Sequence, residues 1–372
     1  MTAEKRDIIL FGPTLRPWKP VKDLSRQIVV LMSGGVDSSV TACLLKEQGW
    51  DVLGVTMKIP VSCDTKKHEF CGADAAFVCE QLDISHYLVD VTAPFEKLII
   101  ERFHQSYARG ETPNPCVDCN TLLKLSLVWD FLKQNFGIDM LATGHYARVS
   151  ERDGKWHLGA AKDKTKDQSY FLYGIAPEKL SRFVLPLGDL TKEQVRSIAA
   201  QRRLTVADKS ESMELCFAGG GDYRAALNST EAQTSGDIID MQGNKIATHK
   251  GIANYTLGQR QGLGYAGGKP LYVAKIDPGT NTIALGSRED VSSRTIRARK
   301  INILMPEEFI VENSFFGKIR SYGNPQPCKL ISLSEKSMTV EFDKPQFAPC
   351  PGQKIVLYNN LDNIVAGGTI LI

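Results

Sequence analysis

Three cysteines occupy positions at which a thiol can do covalent chemistry. Cys116 and Cys119 form a Cys-x-x-Cys pair directly after the proline-bearing turn at residues 112–115. A helix that begins there would lower the pKa of both thiols, because a helix N-terminus favours negative charge. The pair can serve as a nucleophile, as a redox couple or as half of a metal site. Cys216 is a lone cysteine in the segment SMELCF, residues 212–217.

The other cysteines do not complete a metal site. A four-cysteine zinc site needs a second closely spaced pair, and the spacing of Cys63 and Cys71 does not provide one. The chain has nine cysteines, which is an uneven number. An uneven number in so long a chain does not indicate a disulfide scaffold. A lone cysteine is more often an inert core residue. Cys216, however, falls where an α/β pattern gives way to a β pattern, and such a junction favours a catalytic role.

A second kind of chemistry is indicated by the segment SGGVDSS at residues 33–39. Apolar residues 28–32 predict a strand before it, and amphipathic residues 40–48 predict a helix after it. Two glycines allow a close turn, and N–H groups at a helix start favour an anion. Asp37 adds a carboxylate suited to Mg²⁺ with pyrophosphate. The segment lacks the Lys-Ser/Thr ending of the Walker loop and resembles the PP-loop of ATP pyrophosphatases. An ordinary strand–turn–helix unit is the alternative interpretation.

Alternating strands and helices must position these segments. The hydrophobic pattern predicts a strand at 51–58, a helix at 73–82, a strand at 86–91, helices at 94–108 and 120–135, and a strand at 139–143. This order predicts a parallel sheet with helices on both faces, whose ligands bind at the carboxyl ends of the strands. Residues 33–39, Met57, the turn at 112–115 and residues 143–145 all fall at such ends.

The pattern changes to β after about residue 205. Short alternating strands at 295–301, 315–320, 337–342, 354–357 and 364–371 predict a small closed β-barrel. We therefore predict an α/β fold in which a parallel-sheet domain is followed by two β-rich domains. The predicted boundaries are an N-terminal extension at 1–27, the parallel-sheet domain at 28–212, a central β-rich domain at 213–288 and a C-terminal β-barrel at 289–372.

The composition is that of an ordinary globular protein. The 372 residues are 42% hydrophobic and 23% charged, and the formal net charge of +3 does not by itself indicate nucleic acid. No apolar run is long enough to cross a membrane, and the N-terminus lacks the long apolar segment of a secretory signal. We therefore expect a cytoplasmic protein with no membrane partner.

Eight motifs in a fixed order resemble those of one family. They are SGGVDSS (33–39), TPNPCVDCN (112–120), ATGHYAR (142–148), KDQSYFL (166–172), LPLGDLT (185–191), SMELCF (212–217), TLGQRQGLG (256–264) and PQFAPCPGQ (345–353). Together they resemble the MnmA-type tRNA-specific 2-thiouridylases from about residue 28 to the C-terminus. The resemblance implies a PP-loop domain of the adenine nucleotide α-hydrolase type, a small central β-domain and a C-terminal β-barrel.

The family makes 2-thiouridine at the wobble position of tRNA. The resemblance implies that ATP, with Mg²⁺, adenylates the 2-oxygen of the uracil and converts it into a leaving group. Sulfur from a cysteine persulfide then displaces AMP, and pyrophosphate is the other product. The implied partners are the anticodon loop of tRNA and a sulfur-donor protein or cysteine desulfurase. The implied state is a monomer.

The resemblance also assigns roles to residues of this chain. Cys216 carries the persulfide, and Cys119 is the nucleophile that frees the sulfur or closes a disulfide with Cys216. The implied ATP-binding residues are Leu31, Met32, Ser33, Gly34, Gly35, Val36, Asp37, Ser38, Met57 and Gly144. The implied contacts of the target base are Asn114, Pro115 and Cys116. The implied tRNA contacts are His145, Lys166, Asp167, Gln168, Arg320 and Gln346.

The chain departs from the family pattern in the cysteine segment and in the barrel. Many members have Asp where this chain has Cys116, so Cys116, Cys119 and Cys216 could together ligate a [4Fe–4S] cluster with one open iron for sulfide. The Arg-Tyr pair usual in the barrel is interrupted at residues 320–322, and only its arginine is carried over. Basic residues 294–300 could follow a phosphate backbone or form a solvated face of the barrel.

Two other functions are compatible with a PP-loop. An amidotransferase-type synthetase would adenylate a carbonyl for attack by ammonia and would not need paired cysteines. An RNA-binding protein with an inactive nucleotide site would release no pyrophosphate. The ordered motifs and the three cysteines favour tRNA 2-thiolation over both.

Overall fold

The computed structural model describes residues 7–19, 26–60, 72–210, 215–217, 227, 234–265 and 268–371. Cys63 and Cys71 therefore lie outside the described residues. The chain divides into two compact units. The first unit contains residues 1–99, 116–221 and 362–364, and the second contains residues 100–115, 222–361 and 365–372.

A six-stranded sheet organises the first unit. In spatial order its strands are β1 (Ile9–Pro13), β4 (Ser85–Asp90), β3 (Asp51–Lys58), β2 (Gln27–Leu31), β5 (Leu141–Ala142) and β8 (Phe183–Val184). Strand β1 is antiparallel to β4, and the other neighbours are parallel. All of β2 is buried, as expected for a parallel strand covered on both faces. The predicted parallel sheet is confirmed.

Part of the N-terminal extension belongs to this sheet. Beyond β1, the hydroxyl of Thr14 lies 2.7 Å from Nδ1 of His86 in β4. Nε2 of the same ring lies 2.8 Å from the hydroxyl of Thr56 in β3. Burial lowers the pKa of His86 to about 4. A neutral imidazole therefore links the extension to two strands of the sheet.

Two of the predicted helices contain π-helical segments. The α-helices are α1 (Val36–Glu47), α2 (Ala73–Gln81), α3 (Thr92–Phe95), α4 (Glu101–Ala108), α5 (Pro115–Asp118), α6 (Trp129–Phe136) and α7 (Lys192–Gln201). Short 3₁₀ helices lie at Ser169–Leu172, Pro177–Arg182 and Ile252–Asn254. The single helix predicted at 120–135 is a π-helix, Cys119–Val128, followed by α6. The helix predicted at 94–108 is likewise interrupted by a π-helix, Glu96–Ile100.

Helices α1 and α7 share one apolar core with the central strands. Val40 of α1 and Val195 of α7 are both fully buried in it. Helix α7 begins with a capping box, in which the Thr191 hydroxyl accepts the N–H of Gln194 and the Gln194 side chain accepts the N–H of Thr191. This arrangement fixes the first turn of α7, including Lys192.

Three residues from late in the chain complete the first unit. A hairpin of β6 (Ala147–Arg152) and β7 (Lys155–Ala160) receives them. The carbonyl of Asp362 accepts the N–H of Ala160 at 2.9 Å, and its carboxylate pairs with Lys164 at 2.8 Å. Asn363 forms an isolated bridge with Gly159. The edge of the hairpin is thus covered by the segment 362–364.

The second unit is built of β-structure. A four-stranded sheet has the spatial order β10 (Lys245–His249), β9 (Gly236–Ile239), β12 (Thr282–Gly286) and β11 (Tyr272–Asp277). Buried Ile238, Val273 and Ile283 form its core. A closed barrel follows, in the order β13 (Ser292–Ile303), β16 (Ser337–Phe347), β15 (Gln326–Leu333), β14 (Ser314–Lys318), β17 (Lys354–Tyr358) and β18 (Ile364–Ile370). The predicted C-terminal barrel is confirmed.

Candidate active site

A glycine turn joins the carboxyl end of β2 to helix α1. Gly34 has a φ of +71°, in the left-handed region that glycine adopts without strain. Gly35 is the N-cap of α1, and within the described part of the chain no side chain caps this helix. The first N–H groups of α1 can therefore bind an anion, which the helix dipole also favours.

Gly144 packs directly against this turn. A Cβ at position 144 would lie 2.7 Å from the backbone nitrogen of Ser38 and 2.8 Å from the carbonyl carbon of Asp37. Residues 31–38 and Gly144, assigned to ATP from the sequence, are thus neighbours. Met57 is half-buried at the carboxyl end of β3, the strand next to β2. The geometry suits a nucleotide, and the role of each residue stays a prediction.

The carboxylate of Asp37 is already paired with a cation of the protein. Nζ of Lys192 lies 2.7 and 2.8 Å from its two oxygens, and the Tyr146 hydroxyl donates to one of them at 2.8 Å. The Lys192 ammonium also lies 5.6 Å from the centroid of the Tyr146 ring. The Lys192 side chain is only 12% exposed, so water screens this ion pair weakly. The glycine turn therefore has a fixed lysine beside it.

The three cysteines lie in the first unit with one shared cation. Cys119 is buried, whereas Cys116 and Cys216 are exposed residues. Desolvation raises the pKa of all three thiols, and the charge of Lys124 opposes the rise at each. The thiols also act on one another, since Cys216 raises the pKa of Cys119 and Cys116 raises that of Cys216. Cys116, Cys119, Cys216 and Lys124 are therefore one electrostatic group.

The sequence-based expectation of lowered thiol pKa values was wrong. It relied on a helix N-terminus near Cys116 and Cys119. Helix α5 does begin at Pro115, but it is only one turn long and leads directly into the π-helix that starts at Cys119. Removal of the thiols from water outweighs the dipole of this short turn, so the pKa of each thiol is raised.

Lys124 lies in the same π-helix as Cys119, and its charge acts on that thiol. The N–H of Trp129 donates to the carbonyl of Lys124, five residues earlier, as in a π-helix. Sequence reasoning missed Lys124 because it assumed an α-helix, whose turns bring different residues to one face. It missed Lys192 because its partner Asp37 is 155 residues away.

The described residues contain no preformed site for a metal ion. Within the described ranges, no group of three or more His, Cys, Asp or Glu side chains is placed to hold a metal ion. Cys116, Cys119 and Cys216 are close enough for their charges to interact. A [4Fe–4S] cluster on the three thiols stays a prediction.

His145 is held as a neutral ring. Its Nδ1 lies 2.8 Å from the hydroxyl of Thr143. Burial, with a smaller contribution from the charge of Lys124, lowers the pKa of His145 to about 3. If His145 contacts tRNA, it does so by a hydrogen bond and not by a positive charge.

Residues 166–168 use most of their polar atoms within the first unit. The Asp167 carboxylate accepts N–H groups of Ala161 and Ser169 at 3.0 and 3.2 Å, and also the Ser169 hydroxyl. The Gln168 side chain accepts the N–H of Tyr146 at 3.0 Å. Asp167 and Gln168 therefore shape the loop beside Tyr146, and Lys166 is half-buried next to them.

The remaining predicted residues lie in the second unit or at its boundary. Nδ2 of buried Asn114 is 3.5 Å from Oε1 of Gln353, and Gln353 in turn donates to the carbonyl of Pro113 at 3.2 Å. Pro115 is the last residue of the segment 100–115 of the second unit and the first residue of α5. Gln346 is half-buried in β16, and Arg320 follows β14. The structure thus ties the TPNP turn to the segment around residue 353.

Comparison with known proteins covers almost the whole chain. Residues 26–220 match the family described as the tRNA methyl transferase HUP domain, 224–287 its PRC-barrel domain, and 293–370 the aminomethyltransferase β-barrel domain. The tRNA-specific 2-thiouridylase MnmA of Carboxydothermus hydrogenoformans is 40% identical over 359 residues, covering 93% of this chain and 97% of that protein. The MnmA of Pelotomaculum thermopropionicum is 41% identical over 355 residues, covering 92% and 97%.

Proposed function

The chain belongs to the family of tRNA-specific 2-thiouridylases, and from that membership we propose how its own residues carry out the reaction. It is an ATP-dependent tRNA sulfurtransferase that converts a uridine of tRNA into 2-thiouridine. One observation supports the assignment most directly. A single compact unit holds both a nucleotide-type glycine turn and three thiols grouped with Lys124. Activation of the base and sulfur transfer can both use this unit.

In the first step, the glycine turn holds the triphosphate of ATP. The N–H groups at the start of α1 bind phosphate oxygens. Gly144 has no side chain, so the glycine turn can lie directly against it. Met57 lies at the end of β3, where an adenosine would pack. Lys192, fixed by Asp37 and Tyr146, adds positive charge beside the phosphates. The 2-oxygen of the wobble uridine attacks the α-phosphate, and pyrophosphate leaves.

Mg²⁺ would be held at Asp37. A carboxylate offers about four acceptor directions, and Lys192 and Tyr146 occupy three of them. One direction remains, which fits a Mg²⁺ ion bound mainly through phosphate oxygens and water. When bound, the ion would neutralise the charge of the departing pyrophosphate.

In the second step, the outer sulfur of a persulfide on Cys216 attacks C2 of the adenylated uracil. The C2–O bond breaks, and AMP leaves with the bonding electrons. The thiolate of Cys119 then attacks the inner sulfur on Cys216. The S–S bond breaks, the uracil keeps the outer sulfur as 2-thiouridine, and a Cys119–Cys216 disulfide forms. A thiol or other reductant must reduce this disulfide before the next turnover.

The base and the tRNA are assigned to the predicted contact residues. Asn114, Pro115 and Cys116 directly precede Cys119 in the chain and would line the target base. An unpaired uridine of an anticodon loop can be turned out into such a site. His145, Lys166, Asp167, Gln168 and Gln346 are the proposed tRNA contacts. Of these, Asp167 and Gln168 act through the shape of their loop, since their side chains bond the backbone.

Sulfur delivery is assigned to a donor protein or cysteine desulfurase that loads Cys216. Exposure of Cys216 supports this, because a donor thiol must reach its sulfur. The alternative sulfur carrier, a [4Fe–4S] cluster held by Cys116, Cys119 and Cys216, is the second proposal. We propose that the enzyme acts in the cytoplasm as a monomer. Among the helices of the described residues, none could span a membrane.

The function is tested by nucleoside analysis of unmodified tRNA incubated with the protein, ATP, Mg²⁺ and a persulfide donor. We expect 2-thiouridine and one pyrophosphate per modified base. Cys119→Ser and Cys216→Ser should abolish 2-thiouridine and still allow pyrophosphate release. Cys328→Ala is the matched control, because burial raises the pKa of Cys328 to about 12 and leaves its thiol inert. It should keep full activity.

The same experiment separates the competing functions. An ammonia-dependent synthetase would form its product in both cysteine variants. An RNA-binding protein with an inactive nucleotide site would release no pyrophosphate in the wild type. Absence of 2-thiouridine with a competent donor would contradict the proposal.

A further inference from the structure

Arg320 reaches the segment that ends strand β16. Its Nη2 donates to the carbonyl of Ala348 at 2.6 Å and to that of Phe347 at 3.3 Å. The same nitrogen lies 3.9 Å from the sulfur of Cys350. We call residues 346–350 the latch segment. The Nη2 group of Arg320 therefore makes its hydrogen bonds to residues of the second unit.

The Phe347 ring strengthens this attachment. Its centroid lies 4.8 Å from Cζ of Arg288 and 5.8 Å from Cζ of Arg320. The ring of Tyr272 meets it edge-on, at 76° and 5.3 Å between centroids. Contacts of guanidinium groups with an aromatic ring are attractive and need the planar group of arginine. Arg320 therefore holds the latch segment through both its backbone and a side chain.

The latch segment has a backbone conformation that needs such support. Ala348 has a φ of +45°, which residues other than glycine rarely adopt. Its N–H donates to the carbonyl of Val291 at 2.8 Å, and its own carbonyl accepts from Arg320. Gly258 lies so close that a Cβ there would be 2.5 Å from Cβ of Ala348. The conformation of Ala348 thus depends on Arg320, Val291 and Gly258 together.

Gln346 is the residue of the latch segment assigned to tRNA. It is half-buried, and its amide group donates to the carbonyl of Lys344 at 2.9 Å. Gln346 is joined to Phe347 by a peptide bond, so a change in the backbone at Phe347 and Ala348 moves Gln346 as well. The position of Gln346 therefore depends on the residues that hold Phe347 and Ala348, in addition to its own pairing with Ser293 of β13.

We propose that Arg320 is a positioning residue, which fixes the latch segment so that Gln346 is presented to tRNA, and that it does not itself neutralise a tRNA phosphate. The inference rests on the proposed function, because tRNA is taken as the ligand. It replaces the direct tRNA contact that the sequence assigned to Arg320. The contacts of its guanidinium with two carbonyls and an aromatic ring carry the argument.

The salt dependence of tRNA binding distinguishes positioning from phosphate contact. A residue that binds a phosphate releases a counterion, so its loss lowers the slope of log affinity against log salt by about one. Loss of a positioning residue weakens binding and leaves the slope unchanged. We expect Arg320→Met to reduce the affinity for unmodified tRNA about tenfold, with the wild-type slope between about 50 and about 200 mM salt.

Two further variants make the test independent of simple unfolding. Arg320→Lys keeps the charge and loses the planar group, so a positioning role predicts a loss close to that of Arg320→Met, whereas a phosphate contact would be largely kept. Gly258→Ala removes no charge and disturbs the same segment. It should weaken binding with an unchanged slope, and its effect should not add to that of Arg320→Met. Thermal unfolding of each variant shows that the fold is retained.

A slope lowered by about one in Arg320→Met, or near wild-type binding by Arg320→Lys, would overturn the positioning role and leave the proposed function intact. Additive effects of Gly258→Ala and Arg320→Met would overturn it as well. Wild-type protein that binds no tRNA at any salt concentration would overturn the proposed function and the inference together.

Discussion

Lys124 is the charged residue that the three thiols have in common. Desolvation disfavours thiolates at Cys116, Cys119 and Cys216, and Lys124 is a cation that opposes it at all of them. The thiolate is the reactive form of cysteine in both attack on carbon and attack on sulfur. Desolvation favours the protonated form of each thiol, and the positive charge of Lys124 favours its deprotonation. Lys124 therefore controls how easily each thiol is activated.

We expect Lys124→Met to shift the pH dependence of sulfur transfer to higher pH. Without the cation, the pKa of each thiol rises further, and the thiolate fraction below that pKa falls about tenfold per unit. Single-turnover transfer to pre-adenylated tRNA, followed from about pH 7 to about pH 10, measures the shift. Lys124→Arg keeps the charge and serves as the control. An unchanged profile in Lys124→Met would contradict the role of Lys124.

Lys192 has the corresponding role at the glycine turn. Its replacement by Met leaves the Asp37 carboxylate without its cation, beside the site proposed for the phosphates. We expect pyrophosphate release to fall by about ten- to a hundredfold, since loss of one partner of a buried charge pair costs a few kcal/mol. Lys192→Arg keeps the positive charge beside Asp37 and should retain more of the activity than Lys192→Met. Equal losses in Lys192→Arg and Lys192→Met would argue against this explanation.

At the scale of the elements, the π-helix and the start of α1 decide which side chains meet. The π-helix Cys119–Val128 is continuous with α6, and it contains both Cys119 and Lys124, whose charge acts on that thiol. At the start of α1, Gly144, which follows β5, lies directly against the turn. In both places the local shape of the backbone decides where a reactive group lies.

Gly144→Ala tests the close approach at α1. A Cβ 2.7 Å from the backbone nitrogen of Ser38 must push the turn away, so we expect loss of ATP-dependent pyrophosphate release and a lowered Tm. Gly12→Ala is the matched control in the same unit, since no atom lies within 4 Å of a Cβ there. It should change neither property. Full activity of Gly144→Ala would remove this glycine from the proposed nucleotide site.

At the scale of the whole molecule, stability should fall in mild acid. The pKa of His86 is about 4 in the folded chain and about 6.5 in the unfolded chain. Between these values the unfolded chain binds the extra proton, so unfolding becomes easier as pH falls, by up to about 1.4 kcal/mol per pH unit. Below about pH 4 the effect of His86 is complete. Tm values at several pH values should show a smaller decrease for His86→Gln, and equal decreases would contradict the assignment.

The sequence predicted the frame of the molecule better than the site. Strand β2 and five of the six barrel strands have periodicities that depend on local burial, and they were found close to their predicted positions. The sixth barrel strand, β15, was not predicted. Lys124 was missed because a π-helix is selected by packing and changes which residues share a face. The thiol pKa values were predicted in the wrong direction, because desolvation depends on neighbours that are distant in sequence.

The segment 362–364 makes the order of synthesis matter. It belongs to the first unit, where it covers the β6–β7 hairpin and pairs Asp362 with Lys164. The ribosome delivers it only after nearly all of the second unit has emerged. The unit that carries the glycine turn and the thiols therefore cannot reach its final form early in translation. Its unfinished hairpin edge stays open to wrong pairing during that interval, which is a demand on chaperones that two consecutive domains would not impose.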